Sequence, residues 1–295
     1  MAIDTVVVTG GSGTIGQAAL AELNDHGFFT VNCNRGKPRG GPEDSYRTTD
    51  LTDPGEVYGS FSAVDPDAVV HLGMLPTPDH HPEHEVFESN AMSSYYVLEA
   101  AQALGVEPVV LASSLSAMGA GFESDLIEPE QLPIDESIGL TPSNPYGMGK
   151  QALETVADGF GRRDRPPRTI TSLRFPWVTS KADQRETFAE ADRRLVGIET
   201  SGRMHGDHNT FFSYLDIDDA ARAVRLAVEA DFEGHEPVFL SAPDTSCETP
   251  TGEVAERRYP DAAVRTAFEG HEALIETSKA GELLGWEPRH SWREL

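Results

Sequence analysis

The chain has 295 residues and 32.0 kDa, 38% of them hydrophobic and 24% charged, a composition that folds around a substantial core and excludes a disordered polymer. Asp and Glu number 49 against 23 Lys and Arg, a formal charge of −26, whose field repels phosphate backbones and anionic membrane faces. Nucleic acid and membranes are therefore excluded as partners, and the self-repulsion, which salt would screen, points to a salt-rich cytoplasm.

Ile3 to Thr9 is a β-branched run and predicts the first strand. It begins so early that no room is left for a signal peptide, and no stretch reaches the roughly twenty apolar residues that span a bilayer. Cys33 and Cys247 are too few for a disulfide framework or a thiolate metal cage. A cytoplasmic location is expected.

The run Gly10-Gly11-Ser12-Gly13-Thr14-Ile15-Gly16 joins that strand to a helix over 14–26, which stops at Gly27. Glycines at 10, 13 and 16 suit a tight turn, a close approach of backbone to pyrophosphate, and close helix–strand packing. Ser12, Thr14 and Ile15 complete a turn whose following helix offers its N-terminal amides to phosphate. A second strand is predicted over 28–33 and another over 68–72.

A helix over 83–104 ends at Gly105, followed by a strand over 107–112, a helix over 145–161 and a strand over 169–175. Strands and helices alternate, which predicts an α/β fold with a doubly wound parallel sheet. Beyond Pro176 the pattern is irregular, with helices near 182–196, 218–229 and 249–258, a strand over 237–241, and a short helix with an ordered cap in 277–295. We expect a dinucleotide-binding domain over 1–175, rejoined by about 211–245. A substrate-binding subdomain would take 176–210 and 246–295.

Tyr146 and Lys150 stand at i and i+4, on one face of their helix. A neighbouring ammonium would lower the phenol below its free value of about 10 and favour Tyr146 as a base. Lys37, Lys150, Lys181 and Lys279 are the only lysines of the chain, and one of them stands here. His80, His81 and His84 with the acids around them look like metal ligands, but no second cluster completes the set, and no metal is expected.

Together these segments resemble the extended branch of the short-chain dehydrogenase/reductase superfamily, the NAD-dependent epimerase/dehydratase group. The resemblance runs from the glycine turn through Asp50-Leu51, His71-Leu72-Gly73, Asn90, Ser113-Ser114, Tyr146-x-x-x-Lys150 and Ile217-Asp218-Asp219 to Leu283-Leu284-Gly285-Trp286-Glu287-Pro288. It implies a Rossmann fold and a catalytic set of Ser114, Tyr146 and Lys150, with Lys150 also on the nicotinamide ribose. It further implies cofactor contacts from Asp50, Leu51, Leu72, Gly73, Met74, Asn90, Tyr146 and Phe175, and a homodimer through the helices at about 85–104 and 145–161.

Where NAD-using relatives carry an acid at the end of the second strand, this chain has Asn34, followed by Arg35, Lys37 and Arg39. The lost negative charge and the added cations favour a 2′-phosphate, hence NADP, with NAD as the alternative.

Nucleotide-sugar relatives read L-R-x-x-N where this chain has Leu173-Arg174-Phe175-Pro176-Trp177, and they carry a pyrophosphate-clamping arginine where it has Phe212. The missing clamp points to a small sugar, and within the branch the chain looks most similar to the sugar 1-dehydrogenases, the haloarchaeal pentose enzymes among them. The expected reaction is oxidation at C1 of an aldose such as L-arabinose, or of a uronate, to its lactone. Ser114, Ser116 and Trp177 would contact the substrate; the 79–85 loop, with Met74, Trp177 and His208, would form a lid. Arg174 could meet a uronate carboxylate, though this arginine is common across the branch. The alternatives are a nucleotide-sugar 4-epimerase or dehydratase with bound NAD, and, last, a cofactor sensor without turnover, which would not need the retained Tyr146 and Lys150.

Overall fold

The computed structural model describes residues 3–295. The chain begins with β1 (Thr5–Thr9), α1 (Thr14–Asp25), β2 (Phe29–Asn34), β3 (Ser45–Thr48), α2 (Pro54–Val64), β4 (Ala68–His71) and α3 (Glu83–Leu104). There follow β5 (Pro108–Ser114), β6 (Gln131–Leu132), α4 (Pro145–Gly161), β7 (Thr169–Phe175), β8 (Val178–Thr179) and α5 (Lys181–Gln184). The last part holds α6 (Leu195–Thr200), α7 (Met204–Asn209), β9 (Leu215–Asp216), α8 (Ile217–Glu229), β10 (Gly234–Phe239), α9 (Thr251–Arg258), β11 (Ala263–Val264) and α10 (Ser278–Leu284).

Seven strands form one parallel sheet in the order β10-β7-β5-β4-β1-β2-β3. Val6 and Val8 of β1 face one apolar layer with α1, α8 and α10, while Val7 faces a second with α2, α3 and α4. Both faces are covered, which is why these strands read as continuous apolar runs. Strand order reverses between β4 and β1, and a crevice opens there at the strand C-termini, the place where such sheets take ligands. A third apolar cluster lies apart from the sheet and gathers Met118, Leu132, Ile198, Phe212, Val254 and Tyr259.

β3 and α2 lie where the sequence predicts no element. In α2, Asp53 caps Gly55 and Glu56, Pro54 takes the first turn, and Val57, Ser60 and Phe61 face inward. The Asp-Pro-Gly string reads as a turn, and only burial of that face makes it a helix.

The single helix expected over 182–196 is broken. α5 passes into a π-turn at Arg185–Ala189, and a new helix starts at Leu195, whose amide is taken by Thr249 Oγ1 at 3.1 Å. The break lets Arg193 turn inward onto Asp207 and Ser246. The strand expected over 237–241 lies at Gly234–Phe239, an edge position that tolerates Pro237. Among the described residues no helix is long and apolar enough to cross a membrane.

Candidate functional site

A cleft of about 1240 Å³ opens at the β1–β4 crevice and extends under α5–α7. At its sheet end lie Gly10, Gly13, Thr14, Ile15, Gly16, Leu72 and Met74. Gly10 holds φ +69°, and a Cβ there would stand 2.5 Å from the Gly73 backbone. A Cβ on Gly16 would stand 2.3 Å from the Gly10 carbonyl oxygen, so neither position accepts a larger residue without moving backbone. Gly13 caps α1 without a side-chain hydrogen bond, and no acid stands in the first turn of that helix. In so acidic a chain this leaves α1's first amides and dipole open to an anion. A cradle of this shape fits the pyrophosphate of a nicotinamide dinucleotide, the group the resemblance implies.

The flanks of the turn are pinned from below. Buried His71 bonds Thr9 Oγ1 at 2.7 Å and Ser93 Oγ at 3.0 Å, and burial pushes its pKa down to about 3, so it stays neutral. Leu51 is buried and packs against Gly73. Asn90 is fully buried and donates to the carbonyls of Leu75 and Val86 at 3.0 and 2.9 Å, so its amide supports the cleft wall and does not line the cleft. Ser12 likewise accepts from Asn32 at 3.2 Å, and Asp50 accepts from Thr52. Asn34 turns its amide oxygen onto the Arg35 backbone at 2.9 Å, while Arg35, Lys37 and Arg39 are exposed and form no salt bridge among the described residues, Arg35 standing near enough to Asp50 to help lower its pKa.

Ser114, Ser116, Tyr146, Lys150, Phe175 and Trp177 all line the same cleft. Asn144 caps α4 by accepting from Gly147 at 2.9 Å, which fixes the turn that presents Tyr146. Glu123, from the loop after β5, holds that start in place by accepting from Ser143 N at 2.8 Å and Asn144 Nδ2 at 2.7 Å. Its neighbour Phe122 lies edge-on to the Tyr146 ring at 5.5 Å and covers it from the solvent side.

The electrostatics of the pair differ from expectation. Burial pushes the Tyr146 phenol up, and the hydrogen bond from Ser114 offsets this only in part. Burial also pulls Lys150 down to about 7, opposed by the Glu154 carboxylate. Its Nζ lies 5.3 Å from the Tyr146 ring centroid and donates to the Ala112 carbonyl at 2.6 Å. An amine whose charge burial disfavours acidifies the phenol less than a solvated one would, and a bound, positively charged nicotinamide would supply the remainder. Between pH 7 and 10.5 the unfolded chain binds the proton that folded Lys150 gives up; folding therefore gains stability as pH rises through that window.

Further along the cleft lie side chains, mostly from the 176–210 stretch expected to bind substrate, that the sequence did not single out. Arg193, 2% exposed, donates to the Ser246 carbonyl at 2.7 Å and Ser246 Oγ at 2.8 Å, and pairs with Asp207. Arg203, Thr187, Phe188, Thr210 and Ser213 complete this end. Phe212, at the clamp position, is fully buried at φ +51°, so no cation stands there, but two arginines reach the cleft from elsewhere. Arg174 does not reach it as a free cation, because Glu154 holds it at 2.9 and 2.8 Å. Of the expected lid, Met74 and Trp177 line the cleft; His208 is buried against Tyr259 and bonds the Ile127 carbonyl, while His80 and His81 are exposed on the loop before α3 and His84 in its first turn.

A family model described as the NAD dependent epimerase/dehydratase family matches residues 6–240. A UDP-glucose 4-epimerase of Rhizobium leguminosarum is 26% identical, over 100% of this chain and 96% of its own. An L-arabinose 1-dehydrogenase (NAD(P)(+)) of Haloferax volcanii is 28% identical over 63% of this chain and 72% of its own. Among solved structures, MoeE5 in complex with UDP-glucose and NAD superposes with a TM-score of 0.68 at 24% identity, covering 98% of this chain and 95% of that one.

Proposed function

Because this chain belongs to the NAD dependent epimerase/dehydratase family, we propose that it oxidises a free monosaccharide at C1 to the lactone, with NADP preferred over NAD. The sugar is an aldose such as L-arabinose, or a uronate. What carries this reading is the Ser114–Tyr146–Lys150 set on a cleft whose clamp position holds a buried phenylalanine. The similarity to an L-arabinose 1-dehydrogenase (NAD(P)(+)) of Haloferax volcanii supports it. We assign residues 1–175, with about 211–245, to the dinucleotide half and 176–210 with 246–295 to the substrate half. A homodimer through α3 and α4 would cover Phe87, Met92 and Met148, which lie exposed there.

Gly10, Gly13, Gly16 and the α1 amides would hold the pyrophosphate, with Leu72, Met74 and Phe175 against the rest of the dinucleotide. When bound, that group supplies the acceptor for the electron pair of the C1–H bond. Ser114 orients the C1 hydroxyl, Tyr146 Oη takes its proton, and Lys150 steadies the phenolate. Phe122 and Trp177 exclude water from the two sides of the mouth.

Purified protein in strong salt should reduce NADP with a free pentose, hexose or uronate. Turnover confined to UDP-sugars would reject this reading in favour of a nucleotide-sugar 4-epimerase or dehydratase. The second reading has support from the epimerase relatives that span the whole chain and from Arg193 and Arg203 in the cleft.

The cofactor preference rests on Arg35, exposed beside the neutral Asn34. Arg35→Ala should raise KM for NADP about tenfold, the equivalent of about 1.4 kcal/mol, while KM for NAD moves by less than about twofold. Equal changes for both cofactors would remove the 2′-phosphate from the argument.

A further inference from the structure

We propose that Arg203 receives a carboxylate carried by the sugar, so that the substrates are acid sugars and the neutral aldoses are poor ones. This rests on the reading of the site as a monosaccharide oxidiser and narrows it. The charges lining the far end of the cleft are Asp183, Arg193, Arg203 and Asp207. Arg193 is spent, locked between Asp207 and Ser246 with almost no exposure. Asp183 is engaged in the capping box of α5, accepting from Ser180 Oγ at 2.7 Å and Ser180 N at 3.1 Å.

Arg203 is exposed, and its side chain makes no hydrogen bond or ion pair among the described residues; only its backbone is bonded, to Ile198 and Asp207. It is flanked in the lining by Gly202 and Gly206, and a Cβ on either would meet nothing within 4 Å, so the wall around the guanidinium is open.

A chain of charge −26 repels anions, so an anionic substrate needs a discrete cation to hold it. A guanidinium fork grips one carboxylate through two parallel hydrogen bonds. The same end of the cleft suits a diphosphate poorly. With Arg193 and Asp207 paired to each other, a diphosphate would bring two negative charges to the one unpaired cation, Arg203, whereas a single carboxylate matches that cation one to one.

The test compares the holoenzyme on D-galacturonate and D-glucuronate with its rate on the neutral hexoses of the same configuration, in one buffer of fixed salt. The uronates should give the higher kcat/KM, and Arg203→Gln should cut the uronate-to-hexose ratio at least tenfold, mostly through KM. Arg203→Lys should restore part of it, and Arg194→Gln, whose guanidinium is paired with Asp192 outside the cleft lining, should leave it unchanged.

If neutral sugars are oxidised as well as uronates, and Arg203→Gln leaves the ratio alone, the carboxylate receptor is refuted while the sugar-oxidising reading stands. If no free sugar is turned over and Arg203→Gln instead weakens binding of a UDP-sugar, followed by thermal shift with the cofactor present, both fall together.

Discussion

Tyr146→Phe is expected to lower kcat about a thousandfold, inside the range of about 10² to 10⁴ typical of a positioned general base, with folding and cofactor affinity kept. The ring stays, and with it the edge contact to Phe122; only the hydroxyl and its bond to Ser114 are lost. The wild-type oxidation rate should climb with pH, because the proton must leave a phenol that burial has pushed up, and the residual rate of the variant should show no such climb. A Tyr146→Phe protein that kept its turnover, or its pH profile, would remove Tyr146 from the chemistry whatever the fold.

The second large effect is on stability and falls on Glu154. Its carboxylate binds Arg174 through both oxygens and accepts from Ser113 Oγ at 2.5 Å, and the Glu154 and Arg174 side chains are 5% and 3% exposed. Glu154→Met would leave a guanidinium buried without a counter-charge and should cost about 3–5 kcal/mol, or about 10 °C in Tm. Adding Arg174→Met should recover most of that loss, since an apolar pair of similar volume tolerates the same surroundings. A double variant as unstable as the single one, in a thermal melt, would mean that the cost lies in packing and not in the orphaned charge.

The same change reaches the catalytic pair. Glu154's charge supports the protonated form of Lys150 against burial, so without it Lys150 loses its proton at a lower pH. The alkaline limb of the rate profile should move to lower pH in both variants. An unmoved limb would show that Lys150 does not feel this carboxylate in the working enzyme.

The left-handed backbone at Phe211 and Phe212 bears on the clamp as well. Their φ values are +56° and +51°, conformations that cost about 1–3 kcal/mol each for a side chain with a Cβ. Both rings are fully buried among Tyr259, Ile198 and Val254, and that burial offsets the strain. The segment is anchored from inside, which leaves Thr210 and Ser213 on either side to line the cleft.

The linear sequence determined the parts of this protein whose geometry is local. A strand, a glycine turn and a helix lie within a dozen residues, and Gly10 and Gly16 have no other steric solution there. Tyr146 and Lys150 share a face because four residues make about one helical turn. α3, α4 and β7 likewise show their ends in their own residues: α3 stops at the left-handed Gly105, and α4 begins at capping Asn144.

The tertiary structure alone decided the rest. Arg193, Arg203, Asp207 and Ser246 meet at one end of the cleft because a helix breaks at residue 190, a course set by the ion pair it permits and invisible to periodicity. Asn90 and Leu51 pack into the wall of the cleft, and the phenol's pKa goes up instead of down. Burial fixes both outcomes, and burial is a sum over neighbours brought together from the whole length of the chain.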